Sequence, residues 1–118
     1  MIRKASASWR GGLKDGSGSV STGSGVLSGV PYDFAKRFEN EKGTNPEELL
    51  GAAHAACYSM ALSLFAANAG FELESVDTTA SVTLEQKDGG FAVTRIHLDV
   101  VAKLPRASAE QFAKIAED

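Results

Sequence analysis

The chain of 118 residues has one cysteine, two histidines, three prolines and one tryptophan, and each shortage closes a possibility. A single cysteine excludes an intramolecular disulfide. With only two histidines beside it, ligands for a structural zinc site are scarce, and neither a metal nor an organic cofactor is expected. Positive charge is also short: 12 Lys and Arg stand against 15 Asp and Glu, a formal charge of −3 with no basic run. Nucleic acid is therefore not an expected partner, because affinity there rests on clustered positive charge. No basic amphipathic stretch is present, which argues against a membrane-surface role. The N-terminus, MIRKASASWRGG, lacks the apolar segment of a secretory signal. No stretch reaches the roughly 18 uncharged apolar residues of a membrane span. Residues 52–69 come nearest, but they carry His54, Ser59, Ser63 and Asn68. The expected compartment is the cytoplasm.

What is present suits a globular protein: 43% apolar residues, 23% charged, and 12 glycines. The length fits a single domain over residues 1–118. A domain of this size buries about 65% of its extended-chain surface and gains from a partner.

Residues 3–9 alternate weakly and predict an edge strand. Gly11-Gly12 and Asp15-Gly16 are turn signals. Residues 17–27 are rich in Ser and Gly, but Val20, Thr22, Val26 and Leu27 favour a strand. The first 30 or so residues thus predict an antiparallel meander. Residues 31–42 mix aromatics with charge and predict a loop or a short helical turn.

The clearest element follows. Asn45 suits an N-cap, Pro46 the first helical position, and Glu47 and Glu48 the positive helix end. The run LLGAAHAACYSMALSLFAANA has no β-branched residue, and Gly70 is a natural stop. A helix over 46–69 is predicted, roughly 36 Å long. It is apolar nearly all round, which predicts a central helix covered on more than one side. Gly51, Ala52, Ala53, Ala55 and Ala56 would let another backbone approach closely.

After Gly70 the period becomes two. Residues 73–86 and 91–104 flank Lys87-Asp88-Gly89-Gly90, a hairpin signal, with Ile96, Leu98, Val100 and Ala102 on one face. Pro105 ends the hairpin. Ser108 to Gln111 reads as a capping box, with Phe112 and Ile115 on an apolar stripe. This last helix has no stop signal at Asp118, so the chain is expected to be C-terminally incomplete.

A lone cysteine within a helix is most often a small core residue. A reactive one needs a thiolate, and a thiolate needs a positive neighbour. The helix N-terminus lies about three turns from Cys57, too far to help. Arginine suits the role better than lysine, because it stays charged when partly buried and its fork can hold an oxygen as well.

The segment RFENEKGTNPEELLGAAHAACYSM, residues 37–60, closely resembles the signature region of the OsmC/Ohr peroxidases, in particular the OsmC branch. The long run GTNPEELLGAAHAAC carries most of the match. The resemblance extends from WRGGLKDGSGSVST to about residue 105. It implies an α+β fold of antiparallel strands around a long central helix, and an intertwined homodimer. It also implies reduction of organic hydroperoxides, and less efficiently hydrogen peroxide, without metal or organic cofactor. By the same resemblance Cys57 is the peroxidatic cysteine, Glu47 the catalytic glutamate and Arg37 the arginine beside the thiolate. Arg10 is a weaker candidate for that arginine. Dihydrolipoyl proteins are implied as the reducing partner. The family's second cysteine, which resolves the sulfenic acid, has no counterpart here.

The chemistry this implies is coherent. A Cys57 thiolate displaces the distal peroxide oxygen, Arg37 stabilises charge on the oxygens, and Glu47 fixes the Arg37 fork. Ten residues of helix separate Glu47 from Cys57, about 15 Å along the axis and roughly 80° in azimuth. One copy of the helix cannot present both to one small site, so a site shared between two subunits is expected.

Other readings compete. Glu47 could serve only the helix start, and Arg37 could pair with Glu41 four residues on. His54, three residues before Cys57, could act as a base but more often fills a packing position. His97 is expected on an exposed strand face. Trp9, Phe34, Phe38, Phe65 and Phe71 are expected in the core. Phe34, Phe38, Tyr58 and Met60 are candidates to line an apolar substrate pocket. A binding module of the same fold with little chemistry is the alternative function.

Overall fold

The computed structural model describes residues 1–117, which fall into two units, Met1–Leu49 and a second from Leu50 onward. In the first unit, β1 (Ala5–Arg10), β2 (Ser17–Thr22) and β3 (Val30–Tyr32) form an antiparallel sheet in the order β1-β2-β3. The register pairs Ala5 with Thr22 and Arg10 with Ser17, so β1 is the expected edge strand. The strand expected over 17–27 stops at Thr22. There the Thr22 N–H donates to the Leu27 carbonyl at 2.8 Å, and Thr22 Oγ1 accepts from the Leu27 N–H at 3.1 Å. These two bonds close a loop that leaves Val26 in solvent.

Trp9 was expected in the core and is exposed instead. Its ring leans on Tyr32 at 5.4 Å between centroids. Gly18 lies beneath both rings. A Cβ there would come within 2.6 Å of Trp9 and 2.8 Å of Tyr32, so only glycine lets the rings close over β2.

Two helices follow. The short α1 (Phe34–Phe38) is capped by Asp33, whose Oδ1 accepts from the Lys36 N–H at 3.0 Å. The long α2 (Pro46–Asn68) opens on Asn45, whose Oδ1 accepts from the Glu48 N–H at 2.8 Å. It ends at Gly70, whose φ of 87° is left-handed. The Phe71 N–H bonds to the Ala66 carbonyl and the Gly70 N–H to the Ala67 carbonyl, the paired bonds of a Schellman cap.

The second unit holds β4 (Ser75–Lys87), β5 (Gly90–Lys103) and α3 (Ala109–Glu117). Asp88 and Gly89 both have positive φ, 48° and 80°, as a type I′ hairpin turn requires. The ladder shifts between Thr83 and Leu84, a bulge opposite residues 93–95. Ile96, Leu98, Val100 and Ala102 are half-buried and alternate with exposed neighbours, as their period demands. The Ser108 capping box is complete: Ser108 Oγ accepts from the Gln111 N–H, and Gln111 Oε1 accepts from the Ser108 N–H. Leu62, Ala66 and Ile115 are buried, and Phe65, Phe71, Val100 and Phe112 pack around them.

The long helix was expected to be covered on more than one side, with a partner subunit able to supply part of that cover; within the single chain its buried residues are Gly51, Leu62 and Ala66. Met60 is 77% exposed and Leu64 58%. The β4–β5 hairpin and α3 are each one layer thick and cover one side of a cylinder. Where they meet it the fit is close: a Cβ on Gly51 would lie 3.3 Å from Val82 Cγ2 and 3.6 Å from Ala80 Cβ. By length and composition α2 would also suffice to cross a membrane, a test that core helices of soluble proteins pass as well.

Candidate active site

Arg37 sits on α1 and Glu47 in the first turn of α2. The guanidinium meets the carboxylate as a fork: Arg37 Nε donates to Glu47 Oε1 and Nη2 to Oε2, both at 3.1 Å. The Glu47 side chain is 12% exposed and that of Arg37 33%. Such a bidentate pair fixes the plane of the guanidinium as well as its position. The same group stacks on Phe38, with Arg37 Cζ 5.1 Å from the ring centroid. Phe38 in turn meets Phe34 at 4.8 Å.

Beside the fork opens a cleft of about 220 Å³, lined by Trp9, Leu13, Tyr32, Asp33, Phe34, Phe38 and Arg37. Four of these are aromatic, and Lys14 Nζ stands 5.8 Å from the Phe34 centroid. Two of the four residues expected to line an apolar pocket, Phe34 and Phe38, stand here. Trp9, Leu13 and Tyr32 were not foreseen as pocket residues. Their spacing in the sequence is that of a meander, and only strand pairing sets them side by side.

Cys57, His54, Tyr58 and Met60 belong to the second unit. Cys57 is exposed on α2. His54 is exposed as well. Tyr58 packs against the core, and its hydroxyl donates to the Ala116 carbonyl at 3.0 Å. Met60 lies open. Glu41, the alternative partner of Arg37, binds Lys36 instead, at 3.3 Å. Arg10 is exposed at the end of β1. Among the described residues no group of three His, Cys, Asp or Glu side chains gathers as a metal would require.

Next to the fork is an ion cluster that went unforeseen. Lys36 Nζ reaches Asp33 Oδ2 at 3.0 Å and Glu41 Oε1 at 3.3 Å. The Lys36 backbone N–H, and then its ammonium, hold the Asp33 carboxyl below its ordinary range. The hydrogen bond to Asp33, and then that to Glu41, raises Lys36 above its ordinary value.

The chain resembles known proteins in sequence and in structure. The family described as OsmC-like protein matches residues 39–118. Peroxiredoxin OsmC of Escherichia coli (strain K12) is 55% identical over 115 residues, which span 98% of this chain and 80% of that one. Organic hydroperoxide resistance protein OhrB of Bacillus subtilis (strain 168) is 30% identical over 103 residues, 86% of this chain and 75% of that one. Among solved structures, an organic hydroperoxide resistance protein from Elizabethkingia anophelis superposes with a TM-score of 0.68 at 28% identity, over 99% of this chain and 81% of that one. The crystal structure of the B. subtilis OhrB gives 0.65 at 27% identity, over 97% and 81%. In class the molecule is an α+β cysteine peroxidase with a role in peroxide detoxification. The chain belongs to the OsmC-like family.

Proposed function

We propose that this peroxidase reduces organic hydroperoxides to alcohols, and hydrogen peroxide less efficiently, through a sulfenic acid on Cys57. The observation that carries the reading is the Arg37–Glu47 fork at the edge of an aromatic cleft. The Cys57 thiolate attacks the distal peroxide oxygen, the O–O bond breaks, and the alkoxide leaves and takes up a proton as the alcohol. Arg37 favours the thiolate and stabilises negative charge on the two oxygens in the transition state. Glu47 holds the fork in place. Phe34 and Phe38 receive the alkyl group. Re-reduction of the sulfenic acid draws on a thiol from outside these residues, a dihydrolipoyl protein being the proposed donor.

The site is assembled from two copies: Arg37 and Glu47 of one, Cys57 of the other. Two observations support this. Glu47 and Cys57 stand ten residues apart on one continuous helix, and the apolar sides of that helix lie open in a single chain. Residues 1–118 then act as one OsmC-like domain of a homodimer, working in the cytoplasm.

Subunit complementation tests the reading. Cys57→Ser and Glu47→Ala, each expected to lose nearly all turnover, are unfolded and refolded together. Isologous pairing leaves one intact site per mixed dimer, so about a quarter of wild-type peroxide turnover should return. No recovery in a mixture that contains mixed dimers would sink the shared site.

A further inference from the structure

Trp9, Gly18 and Tyr32 stand in one row across the first sheet. Gly18 of β2 is the paired residue of Trp9 on β1 and of Tyr32 on β3. The outer two strands of such a trio run about 10 Å apart, twice the ordinary strand spacing. The two rings nevertheless come to 5.4 Å between centroids, tilted by 54°. They lean together because the residue between them has no side chain: a Cβ on Gly18 would lie 2.6 Å from Trp9 Cε3 and 2.8 Å from Tyr32 Cε1. The indole is also held at its edge, where Nε1 donates to the Gly11 carbonyl at 3.1 Å. That bond takes the only polar atom of the ring, so what Trp9 offers the cleft is apolar surface.

The same cleft is lined from α1 by Phe34 and Phe38, a second tilted pair at 4.8 Å and 47°, with Arg37 beside them. All of these residues belong to the first unit.

We propose that Trp9 and Tyr32 determine substrate choice: with Phe34 and Phe38 they form an aromatic slot that selects hydroperoxides carrying an aryl group on the peroxy-bearing carbon over aliphatic hydroperoxides of equal size. The inference rests on the reading of Arg37 as the group that receives the peroxide oxygens.

Size and chemistry both support the slot. An apolar cavity of about 150 Å³ is enough to take up benzene. This cleft offers about 220 Å³, room for a phenyl ring together with the carbon that bears the peroxide. Aromatic rings attract one another through their faces and edges beyond the effect of buried area, whereas a saturated ring gains the area alone. A sheet wall and a helix wall that each present a tilted pair give an entering ring both faces and edges to meet. Hydrogen peroxide has no group to place there.

The test measures kcat/KM for cumene hydroperoxide, for its saturated counterpart with a cyclohexyl ring, and for hydrogen peroxide. Wild type should favour cumene hydroperoxide over the saturated counterpart by roughly three- to tenfold, the range that an aromatic pair supplies. Trp9→Leu and Tyr32→Leu keep apolar bulk and lose the aromatic face, and each should bring that ratio towards one. Trp9→Phe keeps a ring and should retain most of the preference. The ratio is the readout because a variant that only disturbs the fold lowers all three rates together. Should one Leu variant not fold, the other carries the test. Binding gives a check independent of turnover. Trp9 is the single tryptophan, so cumyl alcohol, the reaction product, should change its fluorescence, and less so in Tyr32→Leu. A wild type with no preference for the aryl substrate, a ratio unmoved in the folded Leu variants, or Trp9 emission unchanged by cumyl alcohol overturns the proposal. Arg37→Ala is the separate control: cumene hydroperoxide consumption as fast as in wild type would refute the role of Arg37 itself, whatever the ratios show.

Discussion

Arg37 and Glu47 meet through two parallel hydrogen bonds of 3.1 Å each, the guanidinium lying flat against the carboxylate. One bond could pivot, whereas two fix a plane. A group that must stabilise charge on oxygen benefits from arriving already oriented. Glu47→Ala should therefore reduce peroxide turnover by roughly 10²-fold, in line with the loss of a positioned group. Stability should change by less than about 1 kcal/mol, since the pair is partly solvated. Steady-state kinetics beside thermal unfolding would check both halves.

Cys57 offers a cleaner separation of chemistry from folding. Its side chain is exposed. Cys57→Ser should abolish peroxide consumption while moving stability by no more than about 0.5 kcal/mol, as for other exposed substitutions. Activity equal to wild type would remove the central role of this residue.

The Asp33–Lys36 pair predicts a pH dependence. Asp33 titrates lower in the folded chain than its usual 3.8, so its contribution is present above that value and is lost as pH falls through the lowered one. Lys36 titrates above its usual 10.5, so its contribution is present below that value and is lost as pH rises through the raised one. The Tm gap between wild type and Asp33→Asn should be flat from roughly pH 5 to 9 and close on acidification below the Asp33 range. A gap that widens towards acid would contradict the assignment.

Gly51 tests the contact between α2 and the hairpin. A methyl group there would sit 3.3 Å from Val82 Cγ2, tight but open to adjustment by a side chain. Gly51→Ala should be near neutral, because a gain of about 1 kcal/mol in helix propensity offsets the crowding. Gly51→Leu cannot be absorbed in that way and should cost about 1–3 kcal/mol. Chemical denaturation of the two variants would separate these outcomes.

Local chemistry made much of this fold legible in the sequence. The Asn45 cap, the Gly70 stop, the Asp88-Gly89 turn and the Ser108–Gln111 box each depend on a few adjacent residues, and each stands where the pattern puts it. Burial was less legible. Apolar residues all round α2 imply cover on more than one side, and the single chain supplies it only at Gly51, Leu62 and Ala66. Trp9 was misjudged because it stands on an edge strand that is exposed along its length. At the candidate site, Arg37, Glu47 and Cys57 were named from the resemblance of one segment. The alternative partner, Glu41, is bound by Lys36 instead, a pairing that a pattern of single residues does not express.

The open sides of α2 have a consequence for control. Under the proposed shared site, activity would be set by how many copies are present. Below the concentration at which copies pair, that site would be incomplete. Raising abundance would then increase turnover more steeply than in proportion. A cell could hold this defence nearly silent at low expression and sharpen it by making more of the same chain.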